Sequence, residues 1–182
     1  MTGLILDSVT VLGAETRGRA VLAASHGGVY AAYLAAKAGV KAVILCDAGV
    51  GRERAGIGGL PYLDARGVAA AAIGHRSARI GDGADCARRG VISFVNRCAQ
   101  AAGLAPGMAA AAALARLEAL DAAPAGTPAP MVEARHEPPE AQAPGVKVVV
   151  LDSVSLVTPA DAGHIVPGAA SAQARMAACW GL

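Results

Sequence analysis

Ala20-Val21-Leu22-Ala23-Ala24 runs without a break into Ser25-His26-Gly27-Gly28, an apolar stretch that ends abruptly in a reactive, glycine-rich turn. Two later stretches repeat the pattern. Val43-Ile44-Leu45-Cys46 leads into Asp47-Ala48-Gly49-Val50-Gly51, and Val68 to Ile73 leads into Gly74-His75-Arg76-Ser77-Ala78-Arg79-Ile80-Gly81-Asp82-Gly83. Short apolar runs bounded by turn residues suit buried strands, and each burst is followed by a helix-like segment, so a parallel sheet is expected. Parallel strands present their carboxyl ends together, and ligands bind outside those ends, so the three bursts should share one rim.

Reading outward, Leu4 to Leu12 is expected as an opening strand and Arg19 to Ala24 as the second. A helix over Val29 to Ala38, closed by Gly39, leads to a strand over Val40 to Cys46. A helix over Gly56 to Arg66, a strand over Val68 to Ile73 and a long helix over Ala84 to Ala102 follow. An Ala-rich helix should run from Pro106-Gly107 to about Asp121. This alternation predicts an α/β fold, a three-layer sandwich with a mostly parallel sheet, in a single domain over 1–182. The stretch 122–145 is rich in Pro and Ala and reads as a loop or excursion. Beyond it, Val146 to Val157 reads as a strand that opens a pseudo-repeat. Leu151-Asp152-Ser153-Val154-Ser155 matches Leu6-Asp7-Ser8-Val9-Thr10, Gly163 matches Gly18, and Ala170-Ser171-Ala172 stands where the first copy has Ser25-His26-Gly27. The terminal segments are therefore expected to form an antiparallel or repeated margin of the sheet.

Hydrophobic residues make up 54% of the 182 and aromatics 3%, so the core is built from Ala, Val, Leu and Ile. A net charge of +2, with no aromatics interleaved among the basic residues, argues against nucleic acid. The opening residues lack a basic segment followed by a long apolar one, and no run reaches membrane-spanning length, so a cytoplasmic protein is expected. Cys46, Cys86, Cys98 and Cys179 form no C-x-x-C pair and are expected as free thiols, Cys98 as a small core residue.

The candidate catalytic residues are His26, Asp47, His75, Ser25 and Ser77; Gly27, Gly28, Gly49, Arg79, Asp82 and Asn96 are candidates for substrate binding, with Asn96 either facing the rim or merely hydrogen-bonding in the core. Two Gly beside His26 let the backbone approach a ligand, and the following helix start favours an anion or a developing oxyanion. The bland alternative is a glycine turn capped by His26. Asp47, at a strand end, can orient a His, hold a metal or take a proton, or simply cap a helix. Arg79 can grip a carboxylate or phosphate with its rigid fork, or pair with Asp82 or Asp85 on the surface. Arg52 to Arg97 contains eight Arg against four acids, a rim that attracts small anions. The His-Gly-Gly turn resembles the oxyanion segment of lipase-like α/β-hydrolases and the metal-site turn of creatininase-like amidohydrolases. The chain has no G-x-S-x-G elbow as in the first family and no upstream Glu-His pair as in the second. A His-Gly turn followed by a strand ending in Asp47-Ala48 also resembles caspase-type peptidases, although Ala48 stands where their nucleophilic Cys is expected.

These residues lead to the expectation of a small-molecule enzyme, a hydrolase of an amide, ester or other carbonyl substrate with an anionic group. His26 or His75 would be the base, Asp47 its orienting group, the Gly27 and Gly28 amides an oxyanion hole, and Arg79 the anchor. Ser25, Ser77 or an activated water would attack. No cofactor is expected; a divalent metal on His26, Asp47, His75 and Asp82 is a variant. The alternative is a non-catalytic binding or regulatory module for an anionic metabolite. A homo-oligomer joined through Met108 to Leu120 or Ala172 to Trp180 is expected from the apolar helices.

Overall fold

Five strands form one sheet in chain order: β1 (Leu4–Leu6), β2 (Ala20–His26), β3 (Ala42–Cys46), β4 (Ala69–Ile73) and β5 (Ile92–Val95). β1 to β4 are parallel, and β5 runs antiparallel to β4. These coordinates come from a computed structural model that describes residues 3–123, 125–152 and 156–167. They divide into two compact units, Met1–Ala129 and Pro130–Leu182.

In the first unit, alternation along the strands sends Val21, Ala23, Val43, Leu45, Ala70 and Ala72 to one face. Leu22, Ala24, Ile44, Cys46, Ala71 and Ile73 go to the other. The first face is covered by α1 (Val29–Ala38) and α2 (Gly59–Asp64), the second by α3 (Gly83–Arg89) and α5 (Ala110–Glu118), with Ala99 of the short α4 (Arg97–Ala101). Helices on both faces make the fold α/β and three-layered, with a mostly parallel sheet. The small side chains set the spacing. A Cβ on Gly59 would lie 2.7 Å from the Ala32 Cβ and 2.7 Å from the Gly27 carbonyl oxygen, so α1 and α2 approach as only Gly and Ala allow. Fully buried Leu22, Ile44 and Leu45 each contribute about 1.5–3 kcal/mol. Glu118 fastens α5 to the sheet by accepting from Arg19 Nε at 2.6 Å and from the Ala20 amide at 2.7 Å.

Several expected bounds change for local reasons. The opening strand stops at Leu6 because Ser8 accepts from the Thr10 amide and caps a 3-10 turn over Val9–Val11. β2 continues through Ser25 to His26. The expected helix over Ala84 to Ala102 is instead α3, strand β5 and α4, since Gly90 ends the helix and the β-branched Val91, Ile92 and Val95 continue as a strand. The antiparallel margin of this sheet is therefore β5, inside the chain, and not a terminal segment.

Among the described residues the second unit has two short antiparallel strands, β6 (Arg135–His136) and β7 (Val150–Leu151); of the expected strand over Val146 to Val157, the described part forms a strand only at Val150–Leu151, with lone bridges at Val146 and Val148. Its ion pair of Arg135 with Asp161, at 2.6 Å, ties β6 to a 3-10 turn over Pro159–Asp161. Two turns share a bonding pattern: Thr16 N to Gly13 O, Arg17 N to Ala14 O and Arg19 N to Thr16 O in the first unit, and Asp161 N to Thr158 O, Ala162 N to Pro159 O and His164 N to Asp161 O in the second. Gly18 and Gly163 both have positive φ, and the parallel pairs Leu4 with Val21 and Val148 with Ile165 have the same spacing along the chain. The rest of the expected pseudo-repeat, 153–155 and 168–182, lies outside the described residues, as does the Ala172 to Trp180 contact. Among the described residues no helix is long and apolar enough to cross a membrane.

Candidate active site at the carboxyl rim of the sheet

Because β2, β3 and β4 are parallel, His26 ends one strand while Asp47 and the segment Gly74-His75 follow the other two at the same end of the sheet. Asp47 is the organising group. Its carboxylate is 3% exposed, and Oδ1 accepts from the Gly49 amide at 2.9 Å, the His75 amide at 3.0 Å and His75 Nδ1 at 2.9 Å. Oδ2 accepts from the Ser93 hydroxyl at 2.9 Å. Burial alone would raise the Asp47 pKa; the bonds from Gly49, His75 and Ser93 outweigh it and hold the group below the ordinary carboxylate value. An ionised carboxylate only accepts, so Nδ1 of His75 carries a proton, and in the neutral ring Nε2 carries the lone pair. The His75 side chain is 48% exposed, and no described residue bonds its Nε2. The ring thus has an open base nitrogen on one side and a fixed anion on the other.

A turn of unusual backbone carries this network. Ala48, Val50, Glu53 and Arg54 have positive φ, as do Gly49 and Gly51. For each non-Gly residue that conformation costs about 1–2 kcal/mol. Bonds from Val50 N to Asp47 O at 2.7 Å and from Gly56 N to Val50 O at 2.8 Å hold it. Beside the turn lies a cavity of about 310 Å³, lined by Cys46, Ala48, Gly49, Ile73, Ala78 and Ile80 together with Gly74 and His75. Cys46 and Cys86 are buried with their Sγ atoms 3.7 Å apart. Burial, and then each other's proximity, raises the Cys46 pKa, and burial raises that of Cys86, so neither is an available thiolate.

The remaining candidates are distributed as follows. His26 accepts from the Gly28 amide at its Nδ1, 3.1 Å away, and burial lowers its pKa. It is therefore a neutral ring whose Nε2–H is a donor, and it lies on the rim outside the residues lining the cavity. The Gly27 amide donates to the Cys46 carbonyl at 2.7 Å and the Gly28 amide to His26, so the oxyanion role expected of both is corrected: their N–H groups are already used. Ser25 accepts from the Val9 amide at 3.0 Å and Ser77 bridges the Gly74 carbonyl and the Val91 amide, so neither bonds a His. Arg79 is exposed on the rim loop, and its amide donates to Asp85. Asp82 caps α3 through the Asp85 amide. Asn96 is a further correction. It sits at the opposite end of the sheet, accepting from the Ala70 and Ala99 amides and donating to the Val68 carbonyl, because β5 runs away from the rim. Among the described residues no three His, Cys, Asp or Glu side chains converge as metal ligands.

Sequence reasoning missed Ser93, since its segment reads as helix until β5 is seen; the β-branched run around it was the available signal. Comparison of the chain with family models, curated proteins and solved structures gave no match in any of the three.

Proposed function

We propose that the chain is a small-molecule enzyme, a hydrolase of an amide, ester or other carbonyl substrate that carries an anionic group. The observation that carries this reading is the 2.9 Å bond between Asp47 and His75, with Nε2 open beside a cavity. His75 takes a proton from a water at Nε2, and Asp47 keeps the ring in the productive tautomer and stabilises the positive charge that develops on it. Water is the nucleophile because Ser25 and Ser77 are bonded elsewhere and Cys46 is held as a thiol. His26, whose Nδ1 already accepts from the Gly28 amide and whose pKa is lowered by burial, is not the base. Exposed Arg76 and Arg79, on the loop that follows β4, attract the substrate's charge.

A positioned base contributes about 10²–10⁴-fold. A panel of charged esters and amides, assayed with and without chelator, tests the reading. Hydrolysis that persists with chelator and falls by about that factor in His75→Ala supports it. Ligand binding with no turnover favours the binding module instead, and loss with chelator favours the metal variant. The same reading includes a cytoplasmic homo-oligomer with a dimer as the smallest unit. Helix α5 supports a contact through Met108 to Leu120, since Ala111, Ala112, Ala115 and Ala119 expose a face of small side chains. Light scattering that stays at 17.9 kDa on concentration would exclude it.

A further inference from the structure

The cavity beside His75 has the composition of a chain-binding slot. Cys46 and Ile73 come from the ends of β3 and β4, and Ala78 and Ile80 come from the rim loop. The side chains of Ala48, Ile73, Ala78 and Ile80 offer no hydrogen bond, Cys46 offers a protonated thiol, and the one strongly polar side chain on the wall is that of His75. A sugar, a nucleotide or a polyol placed here would leave hydroxyls without partners against these side chains, which is unfavourable for every group so stranded. An apolar chain with one polar reacting group leaves none. At about 310 Å³ the cavity is at the small end of ligand sites, roughly 300–1,000 Å³. Ile80 is 55% exposed, an aliphatic side chain kept in water on a loop that borders the opening. The charged part of the substrate has no partner inside. Exposed Arg76 and Arg79 lie on the same loop, in the segment 74–82, outside the cavity lining.

We propose that this cavity binds a short aliphatic acyl chain, with the reacting carbonyl at His75 Nε2 and an anionic leaving group outside toward the Arg-bearing loop. The substrate class is then a short-chain acyl ester, thioester or amide of a charged alcohol, thiol or amine. This rests on the hydrolase reading for the reaction but not for the binding. Hydrolysis adds water across the acyl bond: oxygen from water joins the carbonyl carbon, and the leaving group departs with a proton. The products are a short carboxylic acid and the charged leaving group.

The test is titration of the full-length protein with straight-chain monocarboxylates from acetate to octanoate, read from the His75 ring signals by NMR. Each added CH₂ is expected to tighten binding about fourfold until the cavity is full. Ala78→Phe should flatten that dependence by filling the slot. Ile80→Ser, at an exposed position, should weaken the longer acids more than acetate without affecting folding. Affinity that is independent of chain length, or hydroxylated acids binding as well as plain ones, would overturn the proposal. Chain-length-dependent binding with no hydrolysis of any acyl compound would leave the slot standing and defeat the hydrolase reading. Hydrolysis with no chain-length preference would do the reverse.

Discussion

Replacing Asp47 with Asn tests the buried network with little change of shape. Oδ1 receives two backbone amides, Gly49 at 2.9 Å and His75 at 3.0 Å, along with His75 Nδ1 at 2.9 Å. Three donors around one oxygen force the Asn carbonyl into that place and its NH₂ toward Ser93. Ser93 can accommodate this, because its hydroxyl also lies 3.1 Å from the Ala72 carbonyl, donates there, and can accept from the new amide. The change therefore removes charge and leaves the bonds. A hydrogen bond to a charged group contributes about 1.5–3 kcal/mol and a neutral one about 0.5–1.5, so three weakened bonds cost about 3 kcal/mol. That is a large part of the roughly 5–15 kcal/mol of an ordinary domain, yet the variant should still fold. Urea unfolding at neutral pH measures it. Because the Asn oxygen still accepts from Nδ1–H, the His75 tautomer survives, and turnover should fall less than in His75→Ala. A stability within about 0.5 kcal/mol of the parent would show that the carboxylate does not carry charged bonds.

Acid should destabilise the fold. Burial of Asp47 and Glu118 opposes their ionisation, but their hydrogen bonds and ion pairs prevail and depress both pKa values. Their contribution is thus present above the unfolded values of about 4 and is lost as pH falls through and below them; unfolding free energy measured from pH 7 to 3 should decline, and less steeply in Asp47→Asn. Asn96→Ala should lower stability by about 2–4 kcal/mol by leaving the buried amides of Ala70 and Ala99 without their acceptor, while ligand binding at the rim stays unchanged. Cys46 and Cys86, held as thiols by burial, should react with iodoacetamide only after denaturant is added, as peptide mass spectrometry would report.

The layers and the rim were legible because apolar runs ending in glycine turns at 20–28, 43–51 and 68–83 have few other solutions than parallel strands. What the pattern could not carry was partnership. Ser25, Ser77, Asp82 and the Gly27 and Gly28 amides all stand at the expected end of the sheet, but each is bonded to backbone or a neighbour that sequence spacing does not specify. Asn96 was misplaced for a topological reason, since only the antiparallel turn into β5 carries it to the far end. Ser93 was hidden by the same segment. The choice between His26 and His75 also lay beyond the sequence: it depends on which ring nitrogen meets the Gly28 amide and which meets Asp47.

Long-range ¹H–¹⁵N NMR of the imidazoles decides between the two rings without a substrate. The spectra report which nitrogen of each imidazole carries a proton. His75 is expected as the Nδ1–H tautomer, its proton bonded to Asp47 and Nε2 bare, and His26 as the Nε2–H tautomer with Nδ1 receiving the Gly28 amide. His75 protonated on Nε2 would contradict this, for the ring would then offer no base to the cavity and Asp47 would not be orienting it.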